Sequence, residues 1–133
     1  PMFTLGHDFK PANIHAGGLR YHGAGMIISQ LIKDGYMHGV DVAQTEAFEA
    51  GMLFARAEGI IPAPESCHAI AATIREAKKA TEEGKETVIL FCLSGHGLID
   101  MPSYESYLNG DLHDYKVSDE EINKFLATVP QVD

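Results

Sequence analysis

Apolar positions along this chain follow two rhythms, and the change from one to the other predicts its elements. Met26, Ile27, Leu31 and Ile32 recur at helical spacing between Ala24 and Lys33, and Gly35 supplies a left-handed stop. A second helix starts around Thr45, whose hydroxyl is placed to cap free N–H groups, while Glu46 complements the helix dipole. Phe48, Met52 and Ala55 form one stripe on it, and Ala47, Ala50, Gly51 and Phe54 form another. This helix should therefore be buried on more than one side, and Gly59 ends it. Ile60-Ile-Pro-Ala-Pro64 is not helical, because each proline pushes the residue before it out of the α region. Glu65 and Ser66 then open a helix that runs to about Glu82 or Glu83, where Gly84 stops it. Ile70, Ala71, Ile74 and Ala77 face inward, and Arg75, Glu76, Lys78 and Lys79 face water.

The other rhythm is that of strands. Pro1 to Leu5 reads as the end of one strand, and the β-branched stretch His38-Gly-Val-Asp-Val42 as another. Glu86 to Leu93 is the strongest. From Val88 onward it is apolar without alternation, as expected of a strand covered on both faces in a parallel sheet. Ser103 to Leu108 predicts a short helix. Ser118-Asp-Glu-Glu121 is a capping box for a last helix, with Ser118 bonding forward and Glu121 back. Strand, helix and strand in this order give an α/β layer architecture. Five glycine or proline breaks, at Gly6, Pro11, Gly17, Gly18 and Gly23, make the first residues mostly loop, and loops of that length in compact domains are usually functional. Pro1 falls inside an element. That suggests a piece of a longer chain, with loss of an initiator methionine as the alternative.

Composition narrows the classes. At 133 residues the size is that of one domain, and 45% hydrophobic with 22% charged residues is ordinary for a globular protein. Ten basic against nineteen acidic side chains leave a formal charge of −9, which repels phosphate backbones and argues against a nucleic-acid partner. No apolar run has membrane-spanning length and no secretory signal opens the chain, so a cytoplasmic protein with no membrane partner is expected. Cys67 and Cys92 lack CxxC spacing and are expected to be reduced and buried.

Two segments could carry chemistry. Ser94-Gly-His-Gly97 directly follows the predicted buried strand, and ligands in α/β sheets collect beyond the carboxyl ends of strands. A serine hydroxyl there can donate or accept one hydrogen bond, and Gly95 lets the backbone come close; a plain glycine-rich turn explains the spacing equally well. The stretch has neither GxxxxGK nor GxGxxG, and Cys92 stands where a nucleophile elbow needs glycine. Glu58, just before Gly59, either faces the same cleft or is a solvated helix end. His7, His15, His22, His68 and His96 show no metal-ligand spacing. Arg20, in the loop from Gly17 to Gly23, could grip a carboxylate, although exposed arginine is the commoner case.

At these residues the sequence resembles the β chain of tryptophan synthase, a pyridoxal-phosphate enzyme of fold type II. Three blocks carry the resemblance: Ala16-Gly-Gly-Leu-Arg-Tyr-His-Gly23, Glu58-Gly-Ile-Ile-Pro-Ala-Pro-Glu-Ser-Cys-His-Ala69 and Leu93-Ser-Gly-His-Gly97. The Arg-Tyr-His-Gly wording is similar to the divergent second class of β chains. The likeness runs to about Leu112 and covers roughly the last third of the family's length, and the tail 114–133 does not align. The resemblance implies a three-layer α/β fold, of which residues 1–133 form a single partial domain at the C-terminal end. It implies pyridoxal phosphate as cofactor, with Ser94 hydrogen-bonding the pyridine nitrogen, Gly95 beside it and Glu58 near the ring. A neutral hydroxyl does not enforce protonation of that nitrogen, which suits β-replacement better than transamination. Backbone carbonyls at Leu19, Tyr21 and Gly23 are implied to help bind a monovalent cation.

There are departures from the family. Arg20 stands where the major class has aspartate, His22 where it has proline, and Cys92 where asparagine is common. The larger departure is an absence. The family's Schiff-base lysine, its glutamate acting on indole and its phosphate-binding glycines lie upstream, and Lys10, Lys33, Lys78, Lys79, Lys85, Lys116 and Lys124 do not match that lysine's context. The resemblance thus implies a parent that condenses L-serine with indole to L-tryptophan, and a 133-residue chain that is inactive by itself. Its partners would be the rest of the β chain, a second copy in a homo-oligomer and, less certainly, an α chain. Two alternatives stand beside this: a non-catalytic α/β module or truncated paralogue acting through self-association, and a β chain using another amino-acid donor or acceptor.

Overall fold

The computed structural model describes residues 2–130, which form helices joined by irregular segments in two compact units. The helices are α1 (Met26–Lys33), α2 (Gln44–Glu58), α3 (Pro64–Glu82), α4 (Met101–Leu108) and α5 (Asp119–Leu126), with a 3-10 turn over Gly17–Leu19. One unit contains α1 and α5, built from the residues up to Asn13, Gly18–Asp41 and those from Tyr115 onward. The other contains α2, α3 and α4, built from Ile14–Gly17 and Val42–Asp114.

In the unit of α1 and α5, the chain start is pinned by a polar contact. The Ser29 hydroxyl, buried on α1, accepts from the Phe3 N–H at 3.0 Å and donates to the Ala24 carbonyl at 3.3 Å. Thr4 and Gly23 form an antiparallel bridge, flanked by Leu5 N–H to the His22 carbonyl at 3.2 Å and Ala24 N–H to the Phe3 carbonyl at 2.9 Å. Phe9 is buried and meets the Phe125 ring edge-on at 5.3 Å. Helix α1 covers only part of its apolar spacing: Leu31 and Ile32 are half-buried, Met26 and Ile27 are 71% and 77% exposed, and Ser29 is the side chain that goes fully inside. Ser118 caps α5 as its spacing predicts, accepting from the Glu121 N–H at 3.2 Å. Glu121 does not bond back; its carboxylate accepts from the Tyr115 hydroxyl at 3.3 Å.

The other unit rests on α2 packed against α3. The two stripes on α2 feed two clusters. Ala47 and Phe48 join Cys67, Tyr104 and Leu112, and Ala50 joins Ile70 and Ala71. Phe48 sits edge-on to Tyr104 at 5.0 Å and stacks on Tyr107 at 5.8 Å. The helices come so close at Gly51 that a Cβ there would lie 2.5 Å from Cys67 Sγ and 3.0 Å from the Tyr104 hydroxyl. Helix α2 starts one residue before Thr45, and Thr45 does not cap it. Asp114 does so from the far end of the unit, accepting from the Thr45 N–H at 3.0 Å and the Thr45 hydroxyl at 2.7 Å. Those two bonds, the backbone one foremost, hold the Asp114 carboxyl below its ordinary range. Pro64 is the first residue of α3, where its missing N–H costs nothing and its fixed φ suits the helix. The exposed Arg75 to Glu46 ion pair links the two helices and contributes at most about 1 kcal/mol.

The strands expected at 1–5, 38–42 and 86–93 do not form among the described residues, and Pro1 lies outside them. The first is reduced to the single bridge at Thr4. The α/β layering is therefore absent from these residues, which are helical and irregular. The reason is that a strand exists only as one side of a hydrogen-bonded ladder, and an apolar run without a ladder partner has nothing to pair with. Residues 88–91 nevertheless keep a two-residue rhythm. Ile89 and Phe91 are half-buried, with Phe91 edge-on to Phe54 at 6.0 Å, whereas Val88 and Leu90 are 96% and 95% exposed. Both cysteines are free, as expected; Cys67 is buried, but Cys92 lies on this uncovered run and is exposed.

Alanine at an interior helical glycine ordinarily stabilises by about 1 kcal/mol. Gly51→Ala should do the reverse, losing about 1–3 kcal/mol through overpacking against Cys67 and Tyr104. A lower urea midpoint by circular dichroism is the expected reading.

Candidate functional site

The Glu58–Ala69 block and the Leu93–Gly97 block are far apart in sequence and are clamped together in the unit of α2, α3 and α4. Three contacts do this. The Gly97 N–H donates to the Ile61 carbonyl at 2.8 Å. The Ser66 hydroxyl donates to the Ser94 carbonyl at 2.6 Å. Gly95 lies so close to the proline loop that a Cβ on it would be 3.4 Å from the Ala63 Cβ. Gly95 also takes φ +74°, where a side chain is strained. At Gly97 there is no room at all: a Cβ would run into the Pro62 carbonyl and come within 3.0 Å of the Tyr104 ring.

Beneath this junction lies Tyr104. Its hydroxyl donates to the carbonyl of the fully buried Pro62 at 2.6 Å, so its single proton is committed. The Cys67 thiol, 3.3 Å away, is then the donor to the phenol oxygen. Burial pushes the Cys67 thiol up from its ordinary 9.0. Burial, and next the neighbouring Cys67, push the Tyr104 phenol up from 10.0. Both are neutral across the physiological range. Asp100, where α4 begins, is raised by burial first and then by the Glu65 carboxylate, with His96 acting in the opposite direction. His96 accepts from the Leu98 N–H at 3.2 Å through Nδ1, which leaves the proton of the neutral ring on Nε2.

The residues singled out from sequence are placed as follows. Ser94 and Gly95 lie on the clamped turn, with the Ser94 side chain exposed. Glu58 is the last residue of α2, exposed, with Gly59 closing the helix at φ +70°. Its charge sits at the negative end of the helix dipole, an arrangement that favours a donor or cation beside it. Leu19, Tyr21 and Gly23 belong to the other unit. The Leu19 carbonyl accepts from the Tyr21 N–H at 3.1 Å and keeps a lone pair. The Gly23 backbone is pressed against Thr4, with room for no Cβ: the Phe3 carbonyl would lie 2.6 Å away. His68 bonds its own helix start, the Pro64 carbonyl, at 2.8 Å. Sequence reasoning missed Ser66, Tyr104 and Asp114. Each acts across more than 25 positions of chain, so no local spacing announces them.

The turn can offer a ligand one hydrogen bond from the Ser94 hydroxyl. Its backbone is held from beneath by three independent contacts, while Ser94 and Gly95 are exposed.

The sequence profile of the family described as pyridoxal-phosphate dependent enzyme matches residues 4–95. The chain is 63% identical over 103 residues to tryptophan synthase beta chain 2 of Thermotoga maritima, covering 77% of this chain and 24% of that protein. Against tryptophan synthase beta chain 2 of Aquifex aeolicus it is 58% identical over 113 residues, 85% of this chain and 26% of that one. Against the beta chain 2 of Pyrococcus furiosus it is 54% identical over 129 residues, 97% and 29%. The chain thus spans about a quarter of the length of the curated relatives it matches.

Tyr104→Phe should cost about 1–3 kcal/mol at neutral pH, because it leaves the buried Pro62 carbonyl without a donor. The folded state keeps its phenol proton at a pH where the unfolded chain has lost it. That stability is complete below about pH 10 and declines above it, with Cys67 adding a decline that starts nearer 9.0. Urea unfolding measured from pH 7 to 11 should show a shallower alkaline decline in Tyr104→Phe than in the wild type.

Proposed function

The chain belongs to the family of pyridoxal-phosphate dependent enzymes, and on that premise we propose that it is the C-terminal portion of a tryptophan synthase β chain of the second class. The parent would join L-serine and indole to give L-tryptophan by β-replacement. The observation that carries the reading is the clamped Ser94 turn: an exposed serine whose carbonyl is held by the Ser66 hydroxyl, next to the exposed Gly95.

Bound pyridoxal phosphate supplies the electron sink that stabilises charge at the α-carbon of an amino acid. This chain's own residues would contribute orientation and electrostatics. Ser94 would share one hydrogen bond with the pyridine nitrogen and, being neutral, leave its protonation unforced. Gly95 would lie beside that contact. The Glu58 carboxylate would lie beside the ring and gain there the donor that its position at a helix C-terminus favours. Separately, the carbonyls of Leu19, Tyr21 and Gly23 would hold a monovalent cation, an all-oxygen donor set that suits a hard ion.

The uncovered run supports the finer reading of the fold. Val88 and Leu90 each forgo about 1.5–3 kcal/mol of burial while exposed, and their alternation with Ile89 and Phe91 is that of a strand with one face covered. Pairing and covering this run with the remainder of a β chain would produce a three-layer α/β fold, within which these residues are one partial domain. The same exposed run favours the second reading, a module that self-associates without catalysis. A homo-oligomer and an α-chain partner remain part of the first proposal. No helix among the described residues is long and apolar enough to cross a membrane.

Two measurements test the proposal. A full-length β chain in which residues 1–133 replace the matched part of the Thermotoga maritima protein should form tryptophan from L-serine and indole, and Ser94→Ala in it should lower the rate roughly 10- to 100-fold, the loss of one hydrogen bond to a buried acceptor. A folded chimera with no tryptophan formation would overturn the reading. Residues 1–133 alone, titrated with pyridoxal phosphate, should develop no saturable visible absorption of covalently held cofactor and should turn over no substrate.

A further inference from the structure

The Ser94 hydroxyl can orient a ring only if its own peptide is fixed. The Gly97 N–H is held by the Ile61 carbonyl at 2.8 Å, but that bond lies three residues downstream. The Ser66 hydroxyl alone reaches the Ser94 peptide itself, at 2.6 Å. Ser66 is buried, 4% exposed, in the first turn of α3, so its hydroxyl is shielded from competing water. The Ser94 carbonyl it grips also sits near the positive end of the α3 dipole.

We propose that Ser66 is a positioning residue: by donating to the Ser94 carbonyl it sets the direction in which the Ser94 hydroxyl meets the ring nitrogen of a bound pyridine cofactor. This rests on the reading of Ser94 given above. Ser94 has a single side-chain torsion, so its hydroxyl goes where its backbone points. A displacement of the order of 1 Å at such a contact costs up to about 100-fold in rate. Ser66 touches neither ring nor substrate and acts only through Ser94.

The test is a double-variant cycle in the holoenzyme, with residues 1–133 in a full-length β chain loaded with pyridoxal phosphate. Wild type, Ser66→Ala, Ser94→Ala and the double variant are compared by the absorption and emission maxima of the bound cofactor, by kcat and KM for L-serine, and by melting temperature. The expected result is that Ser66→Ala shifts the cofactor spectrum in the same direction as Ser94→Ala and lowers kcat about 5- to 20-fold with little change in KM. The double variant should be no worse than Ser94→Ala, because Ser66 has nothing left to position. Additive losses, or a lower melting temperature with an unchanged spectrum, would assign Ser66 a purely structural role and overturn the inference. A Ser94→Ala variant with unchanged spectrum and rate would instead sink the reading of Ser94, and this inference with it. Should Ser66→Ala not fold, Ser66→Thr keeps the donor and must retain the wild-type spectrum.

Discussion

The buried hydrogen bond from Tyr104 to the Pro62 carbonyl is the interaction on which the helical unit turns. A proline-rich loop has few N–H groups of its own, and the carbonyl of a fully buried Pro62 has to find a donor elsewhere or cost the desolvation of an unpaired acceptor. Tyr104 brings that donor from α4. To reach it, the ring passes over Gly97 and beside Phe48, and the thiol of Cys67 closes in at the position where α2 carries Gly51. One polar bond thereby ties α4 to the loop between α2 and α3, beside the turn that follows the apolar run. Low dielectric strengthens the bond and also makes it costly to break.

That arrangement holds an irregular turn in place. The three contacts that clamp residues 94–97 come from backbone and side chains of the proline loop and the first turn of α3. Ser94 and Gly95 stay exposed. A pyridine nitrogen needs little more from the protein than a well-aimed neutral partner, which is what separates a moderated electron sink from one held protonated by a carboxylate. Glu58 illustrates the complementary point. A carboxylate at the end of α2 sits at the negative end of the helix dipole, where a neighbouring donor or cation would be favourable.

The run from Glu86 to Leu93 shows how far an apolar run can be read when no ladder partner stands beside it among the described residues. Its sequence predicts cover on both faces, and the structure covers one: Phe91 and Ile89 are half-buried, while Val88 and Leu90 are exposed. Helices survive such circumstances because their hydrogen bonds are internal. Strands do not, because theirs lie with a neighbour. The same difference explains why the helices at Met26–Lys33, Gln44–Glu58, Pro64–Glu82, Met101–Leu108 and Asp119–Leu126 follow their sequence spacing closely while the three expected strands are absent from the described residues.

By itself the sequence determined the local matters: where helices begin and end, which faces of α2 go inside, the capping of α5 by Ser118, and the three blocks whose wording resembles its family. These are written in residues a few positions apart, within reach of one turn of backbone. Only the tertiary structure decided that Ser29 goes inside α1 in place of Met26 and Ile27. It also decided that Asp114, and not Thr45, caps α2, that Cys92 is exposed, and that Ser66 and Tyr104 hold the Ser94 turn. Those outcomes join residues that lie far apart in the chain or depend on what covers a surface. Long-range pairing is settled by which polar groups are left over once the helices have packed, and no periodicity in the chain encodes that remainder.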